Sequence, residues 1–179
     1  MRKIGLLAAT GFLAVGGAAF ASGDDVINVP TFTLGGGESI SFDFVLEPNN
    51  KVITGFLFEG FFDDLADGGS WGSDLRMEIF GPNGFVYSIG GFDTPSDDVW
   101  DFDGGGSDED GFYTHDGTDR FIDNPMAKGD ITIRFTNDFS VGDPMEWSDV
   151  KITFLKIPAP GALALLGVAG MVGARRRRR

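Results

Sequence analysis

The chain has 179 residues and no cysteine, and its 27 acidic and 14 basic residues give a formal net charge of −13 at pH 7. A disulfide framework, a lipid-bearing cysteine and a zinc centre of the usual kinds are therefore excluded, since only one histidine is present. The acidic balance also excludes nucleic acid as a natural partner, because a negative surface repels phosphate.

The N-terminus has the layout of a secretory signal peptide. Arg2 and Lys3 form a basic start, an apolar run extends from Ile4 to Ala18, and the A-x-A pattern of a cleavage site follows at Ala19 and Ala21. We expect a signal-peptide helix in residues 1–21 and a mature chain that begins near Ser22. An uncleaved N-terminal anchor is the alternative.

Residues 22–156 have the length and composition of one exported domain with its own apolar core. All 27 acidic residues but only 7 of the 14 basic residues fall between the two terminal segments, which leaves this body a formal charge of −20. Cations are therefore its natural partners.

Short runs of alternating apolar and polar residues predict about seven strands in this body. No long helical pattern occurs outside the terminal segments, so we predict an all-β fold: one β-sandwich or jelly-roll domain between two targeting helices. The predicted strands are Val29–Leu34, Ser39–Leu46, Lys51–Glu59, Asp74–Phe80, Phe85–Ile89, Ile131–Thr136 and Val150–Leu155. A tight turn at Gly81-Pro82-Asn83-Gly84 predicts a hairpin.

The alternation stops in residues 93–128, which we interpret as an acidic, Gly-rich loop. Carboxylates crowded in a flexible loop are typical Ca²⁺ ligands. The candidate calcium ligands are Asp97, Asp98, Asp101, Asp103, Asp108 and Asp110. The EF-hand spacing does not fit, because Phe112 falls where that motif requires a bidentate Glu. A solvated acidic loop without an ion is the alternative, and Asp63, Asp64 and Asp67 form a smaller acidic cluster with the same two interpretations.

Enzymatic motifs are poorly supported. Gly68-Gly69-Ser70-Trp71-Gly72 matches G-x-S-x-G, but that motif forms a nucleophile elbow only before a helix, and no helical pattern follows Ser70. A catalytic triad would also need His115, which lies in the acidic loop. We therefore predict a non-catalytic protein, although paired carboxylates of a glycosidase stay open among so many acids.

Four aromatic residues lie in or beside predicted loops: Trp71, Trp100, Tyr113 and Trp147. Flat rings at the rim of a jelly roll can stack on sugars. Large aromatic residues are mostly buried, however, so we favour packing at the ends of the sandwich.

Residues 157–179 have a three-part order. Pro158, Ala159 and Pro160 are followed by the apolar run Gly161–Ala174, and the chain ends with Arg175, Arg176, Arg177, Arg178 and Arg179. The apolar run is a marginal transmembrane span. Because arginines beside a span stay on the cytoplasmic side, the body is expected on the far side of the membrane.

This order resembles the PEP-CTERM sorting signal of bacteria that have exosortases, although Ala159 stands where that family typically has Glu. The resemblance implies a membrane exosortase as partner, which would cut at the Pro motif and release or re-anchor the body. A C-terminal anchor that is never processed is the alternative.

The segment from Lys51 to Lys156 resembles the P-domain (Homo B) jelly roll that accompanies secreted subtilisin-like proteases, through S-D-L-R-M-E-I-F-G-P-N-G-F-V-Y-S-I-G-G, G-D-I-T-I-R-F-T-N-D-F-S-V-G-D and W-S-D-V-K-I-T-F. Such modules are not catalytic. We therefore expect a secreted cell-surface or extracellular-matrix protein that associates with exopolysaccharide and is first anchored in the inner membrane. A secreted carbohydrate-binding module or glycan-acting enzyme is the alternative.

Overall fold

A computed structural model describes residues 25–47, 51–66, 69–92, 99–100, 102 and 109–158. Regular structure in these residues consists of β-strands and two 3-10 turns, Gly72–Asp74 and Pro82–Gly84, so the all-β prediction is confirmed. Within the described part of the chain, no helix is long and apolar enough to cross a membrane. The predicted signal-peptide helix and the predicted span 161–174 lie outside the described residues.

Two antiparallel sheets contain all the strands of the described residues. The front sheet has the order β1-β9-β4-β7, with β2 also paired to β9, and the back sheet has the order β3-β8-β5-β6. The strands are β1 (Asp25–Asn28), β2 (Phe32–Leu34), β3 (Ser39–Val45), β4 (Lys51–Asp64), β5 (Leu75–Phe80), β6 (Val86–Gly90), β7 (Gly111–Gly117), β8 (Asp130–Asn137) and β9 (Met145–Pro158).

The core between the sheets is built largely from aromatic rings. Phe32 of the front sheet stacks on Phe135 of the back sheet with 4.7 Å between ring centroids. Phe56 meets Tyr87 across the same gap at 5.8 Å. Because alternate residues of a strand point to the same face, one side of each sheet supplies these rings. Their burial is the main stabilising term, since the chain has no disulfide.

The predicted hairpin at Gly81-Pro82-Asn83-Gly84 is confirmed. Strands β5 and β6 pair antiparallel on either side of it. Asn83 and Gly84 both have positive φ, 59° and 77°. These are the two residue types that adopt this conformation most readily, which explains why the turn was visible in the sequence.

Strand β7 corrects the prediction that residues 93–128 are entirely loop. Its inward positions are Tyr113, His115 and Gly117, which are buried, while Phe112 and Asp116 face outward and are exposed. The inward residues are polar rings and a glycine. Burial therefore alternates along the strand although hydropathy does not. The loop prediction was therefore wrong over Gly111–Gly117.

The predicted strand Val29–Leu34 is confirmed only over Phe32–Leu34, which forms β2. A separate strand, β1, precedes the predicted range, both strands pair with β9, and the break between them contains Pro30. Proline has no N–H to donate to a neighbouring strand, which ends the pairing there.

The two longest strands extend beyond their predicted ends. Strand β4 continues to Asp64, and β9 begins at Met145 and continues to Pro158. Lys51 pairs with Pro158 and Val52 pairs with Ile157. The sheet therefore continues past the predicted domain boundary at residue 156 and includes the first proline of the predicted sorting motif.

Candidate functional site

Most of the predicted calcium ligands lie outside the described residues: Asp97, Asp98, Asp101, Asp103 and Asp108. Asp110 is described, and its Oδ1 accepts a 2.8 Å hydrogen bond from the backbone N–H of Asp64. Within the part of the chain that the structure describes, no group of three or more His, Asp or Glu is arranged to hold a metal ion. The calcium site therefore stays a prediction.

Four carboxylates meet where β4 ends. We call Asp63, Asp64, Asp110 and Glu146 the acidic corner. Asp63 is paired in register with Glu146 of β9. The carboxylate of Asp110 accepts a hydrogen bond from the backbone N–H of Asp64. Partial burial, together with the neighbouring carboxylates of Asp110, Glu146 and Asp64, raises the pKa of Asp63. Asp67, predicted to join this cluster, lies outside the described residues.

Two exposed phenylalanines lie side by side on the outer face of the front sheet. Phe61 of β4 and Phe112 of β7 are direct partners in the strand register. Their exposed fractions are 40% and 56%, whereas the neighbouring Phe62 is completely buried. We call Phe61 and Phe112 the aromatic platform.

Polar groups surround the aromatic platform. On β9, Ser148 is the register partner of Phe61. Glu59 and Thr114 are paired with each other in the next outward-facing row, and Lys151 forms an ion pair with Glu59. The outer face of the front sheet therefore presents two rings near its β7 edge, with hydroxyls and carboxylates beside them.

Three of the four aromatic residues singled out in the sequence belong to the core. Trp100, Tyr113 and Trp147 are buried, which confirms the packing interpretation for them. The fourth, Trp71, is 53% exposed in the loop after β4. The aromatic platform was missed, although the adjacent pair Phe61-Phe62 gave a signal: consecutive strand residues face opposite sides, so one of the two must point away from the core.

Ser70 and His115, the two residues that a catalytic triad would need, contact different neighbours. The Ser70 hydroxyl is buried, donates a 2.6 Å hydrogen bond to the carbonyl oxygen of Asp143 and accepts a 3.1 Å bond from Asn137 Nδ2. The His115 ring lies against Phe56 and Trp100, at 5.8 and 5.2 Å between centroids. The hydroxyl of Ser70 thus fastens the β4–β5 loop to the segment after β8.

Ion pairs hold several basic residues in the described part of the body. Arg76 binds Asp138, Arg134 binds Glu78, and Lys151 binds Glu59. Lys128 and Lys156 both bind Asp25, with Nζ to carboxylate distances of 2.8 and 3.3 Å. Positive charge is therefore largely neutralised by specific partners, and the excess of carboxylates sets the sign of the surface potential.

The residues of the two predicted targeting signals lie mostly outside the described part of the chain. This applies to Ala19 and Ala21, to Ala159 and Pro160, and to Arg175, Arg176, Arg177, Arg178 and Arg179. Pro158 is described as the last residue of β9, paired with Lys51 of β4. The predicted cutting motif thus begins at the end of a strand that lies inside the front sheet.

Comparison with known proteins finds similarity among solved structures only. No protein-family model matches the chain, and no curated protein sequence matches it. Among solved structures, the chain is similar to the periplasmic inhibitor of g-type lysozyme from Aeromonas hydrophila, at 14% sequence identity and a TM-score of 0.35. The match covers 77% of this chain and 93% of that chain. At this TM-score the similarity assigns neither a fold family nor a function to the chain.

Proposed function

We propose that this protein is a secreted, non-catalytic component of the bacterial cell surface or extracellular matrix that associates with exopolysaccharide. A signal peptide in residues 1–21 directs export. A sorting signal in residues 157–179 first holds the body in the inner membrane and then presents the Pro158-Ala159-Pro160 motif to an exosortase-type enzyme.

One observation carries this proposal. Among the described residues, the buried apolar side chains of the core run from Ile27 to Phe154, all within the body that precedes the predicted sorting signal. Strand β9 continues into that signal only as far as Pro158.

The strand order supports the predicted jelly-roll fold. If β1 and β2 are counted as one interrupted strand, each sheet has four strands, in the orders β1-β9-β4-β7 and β3-β8-β5-β6. A double-sheet jelly roll has eight strands arranged in this interleaved manner. Jelly rolls serve many unrelated functions, so the function depends on the exposed residues and the targeting segments.

The intact mass of the exported protein tests the proposal. The full chain is expressed in a bacterium that has an exosortase and in the same strain without it. We expect loss of residues 1–21 in both strains and loss of the tail after the Pro motif only where the exosortase is present. A tail kept in both strains would replace sorting by permanent anchoring, and a folded cytosolic protein with both ends intact would overturn the proposal.

A further inference from the structure

We propose that the outer face of the front sheet binds a linear polysaccharide with free amino groups, which stacks on the aromatic platform and places a protonated amine at the acidic corner. This inference rests on the proposed function and identifies the chemical class of the polysaccharide.

The aromatic platform has the form of a stacking surface. Phe61 and Phe112 occupy partner positions on β4 and β7, where side chains of adjacent strands lie about 5 Å apart at Cβ. Both rings face away from the core that Phe56, Phe58 and Phe62 fill. Two exposed rings at partner positions offer apolar surface to a ligand, and the C–H face of a sugar ring can pack on an exposed aromatic ring.

Hydrogen-bonding groups lie beside the rings. Ser148 is the register partner of Phe61, and Thr114 and Glu59 form the adjacent outward row. Hydroxyls both donate and accept, and carboxylates accept, so this border can bond the hydroxyl groups of a sugar whose ring rests on the platform.

Charge selects an amino sugar over other glycans. The body has a formal charge of −20, and in its described part Arg76, Arg134, Lys128, Lys151 and Lys156 are neutralised in ion pairs. An anionic polysaccharide would be repelled by this surface. A protonated amine is attracted to it and would relieve the mutual repulsion of the acidic corner, where the pKa of Asp63 is raised.

The two parts of the site are close enough for one chain of sugars. Phe61 and Asp63 are two residues apart on β4 and face the same side of the sheet, which places them about 7 Å apart along the strand. A polymer lying along β4 can therefore stack one unit on Phe61 and direct the amine of the next toward Asp63.

Calorimetry with three matched oligosaccharides tests this inference on the exported, purified protein. The probes are a β-linked glucosamine hexamer, its fully N-acetylated form and a uronic-acid hexamer, at a mildly acid pH where the amine is protonated and surface carboxylates of ordinary pKa are ionised. We expect saturable binding of the glucosamine hexamer, weaker binding of the N-acetylated form and none of the uronic acid. Equal binding of the first two, or binding of the uronic acid, would overturn the inference.

Variants locate the site. Phe112→Ala and Phe61→Ala should each lower the affinity for the glucosamine hexamer about two- to tenfold, and Phe112→Trp should preserve it. The control is Val86→Ala, which removes an equally exposed apolar side chain from the back sheet and should leave binding unchanged. Unchanged affinity in the Phe variants with an unaltered melting temperature would show that any binding occurs elsewhere on the protein.

Sorting is measured separately, from the intact mass of the exported protein. Normal processing without glycan binding would therefore refute this inference and leave the targeting part of the proposed function in place.

Discussion

The indole N–H of Trp100 donates a 2.6 Å hydrogen bond to the carbonyl oxygen of Leu75 inside the core. Trp100 belongs to the acidic segment between β6 and β7, and Phe102 of the same segment stacks on it at 5.0 Å and 10°. Trp100 and Phe102 are thereby attached to the core of the sandwich. We interpret these two aromatic residues as anchors among the acidic residues that flank them in the sequence.

Shortening this anchor should destabilise the fold. Trp100→Phe removes the indole N–H and leaves the buried carbonyl oxygen of Leu75 without its partner, which costs about 1–3 kcal/mol of unfolding free energy. Chemical denaturation measures this loss of unfolding free energy. The control is Trp71→Phe, at an exposed site, which should stay within about 0.5 kcal/mol of the parent. Equal effects of the two substitutions would show that Trp100 is not an anchor.

Gly90 makes room for the same indole. A Cβ at this position would lie 2.1 Å from Trp100 Nε1 and 2.3 Å from the carbonyl oxygen of Leu75, and φ is +76°. Gly90→Ala should therefore cost the conformational penalty of about 1–2 kcal/mol and, in addition, the displacement of the indole, for a total of about 3 kcal/mol or more.

Gly84 is the matched control for this prediction. Its φ is +77°, and nothing lies within 4 Å of the Cβ that an alanine would add. Gly84→Ala should therefore cost only the conformational penalty of about 1–2 kcal/mol. If the unfolding free energies of the two variants are equal, the close approach of Trp100 to Gly90 has no energetic weight.

Strands whose inward residues are aliphatic or Phe can be predicted from the alternation of hydropathy in the sequence. A strand whose inward residues are polar aromatic residues and glycine cannot. Strand β5 alternates Leu75, Met77 and Ile79 with charged residues, and it was predicted almost to the residue. Strand β7 places Tyr113 and His115 inward, where rings of the front sheet and of the segment before β7 pack against them. Their burial follows from tertiary packing and not from local hydropathy.

The candidate site depends on register, which local sequence does not encode. The pair Phe61-Phe62 indicates that one ring faces outward, but nothing near it in the sequence indicates Phe112 as the neighbour. That contact is set by the pairing of β4 with β7 and by the order of strands in the front sheet. Single exposed aromatic residues are common on protein surfaces, so only the pairing made the platform visible.

Asp25 connects three parts of the fold through charge. Its carboxylate binds Lys128 and Lys156, whose side chains are only 2% and 6% exposed. Asp25→Asn removes the carboxylate that these two buried ammonium groups share, so we expect a loss of about 3–5 kcal/mol in unfolding free energy. Glu59→Gln, which breaks the more exposed pair with Lys151, should cost no more than about 1 kcal/mol. Similar losses in both variants would contradict the role of burial.

Asp63→Asn should stabilise the fold at neutral pH. Because the folded-state pKa of Asp63 is raised, its proton stabilises the folded protein below the ordinary pKa of 3.8, and this contribution is lost as the pH rises through the folded pKa. At neutral pH the charged Asp63 repels Asp110 and Glu146, and asparagine removes that repulsion. The melting temperature of the variant should exceed that of the parent at neutral pH, and the difference should shrink in acid and at high salt.

Asp116→Asn should destabilise the fold at neutral pH, in contrast to Asp63→Asn. Hydrogen bonds from the Thr118 hydroxyl and from its backbone N–H, which is 2.9 Å away, lower the pKa of Asp116, with a smaller contribution from His115. Its charged form therefore stabilises the fold above pH 3.8, and this contribution is lost as the pH falls through the folded pKa. The variant should melt below the parent at neutral pH, converge with it in acid, and change little with salt, because hydrogen bonds are screened less than distant charges. If Asp63→Asn instead lowers the melting temperature at neutral pH, as Asp116→Asn should, the repulsive character of the acidic corner, and with it the attraction for a protonated amine, is wrong.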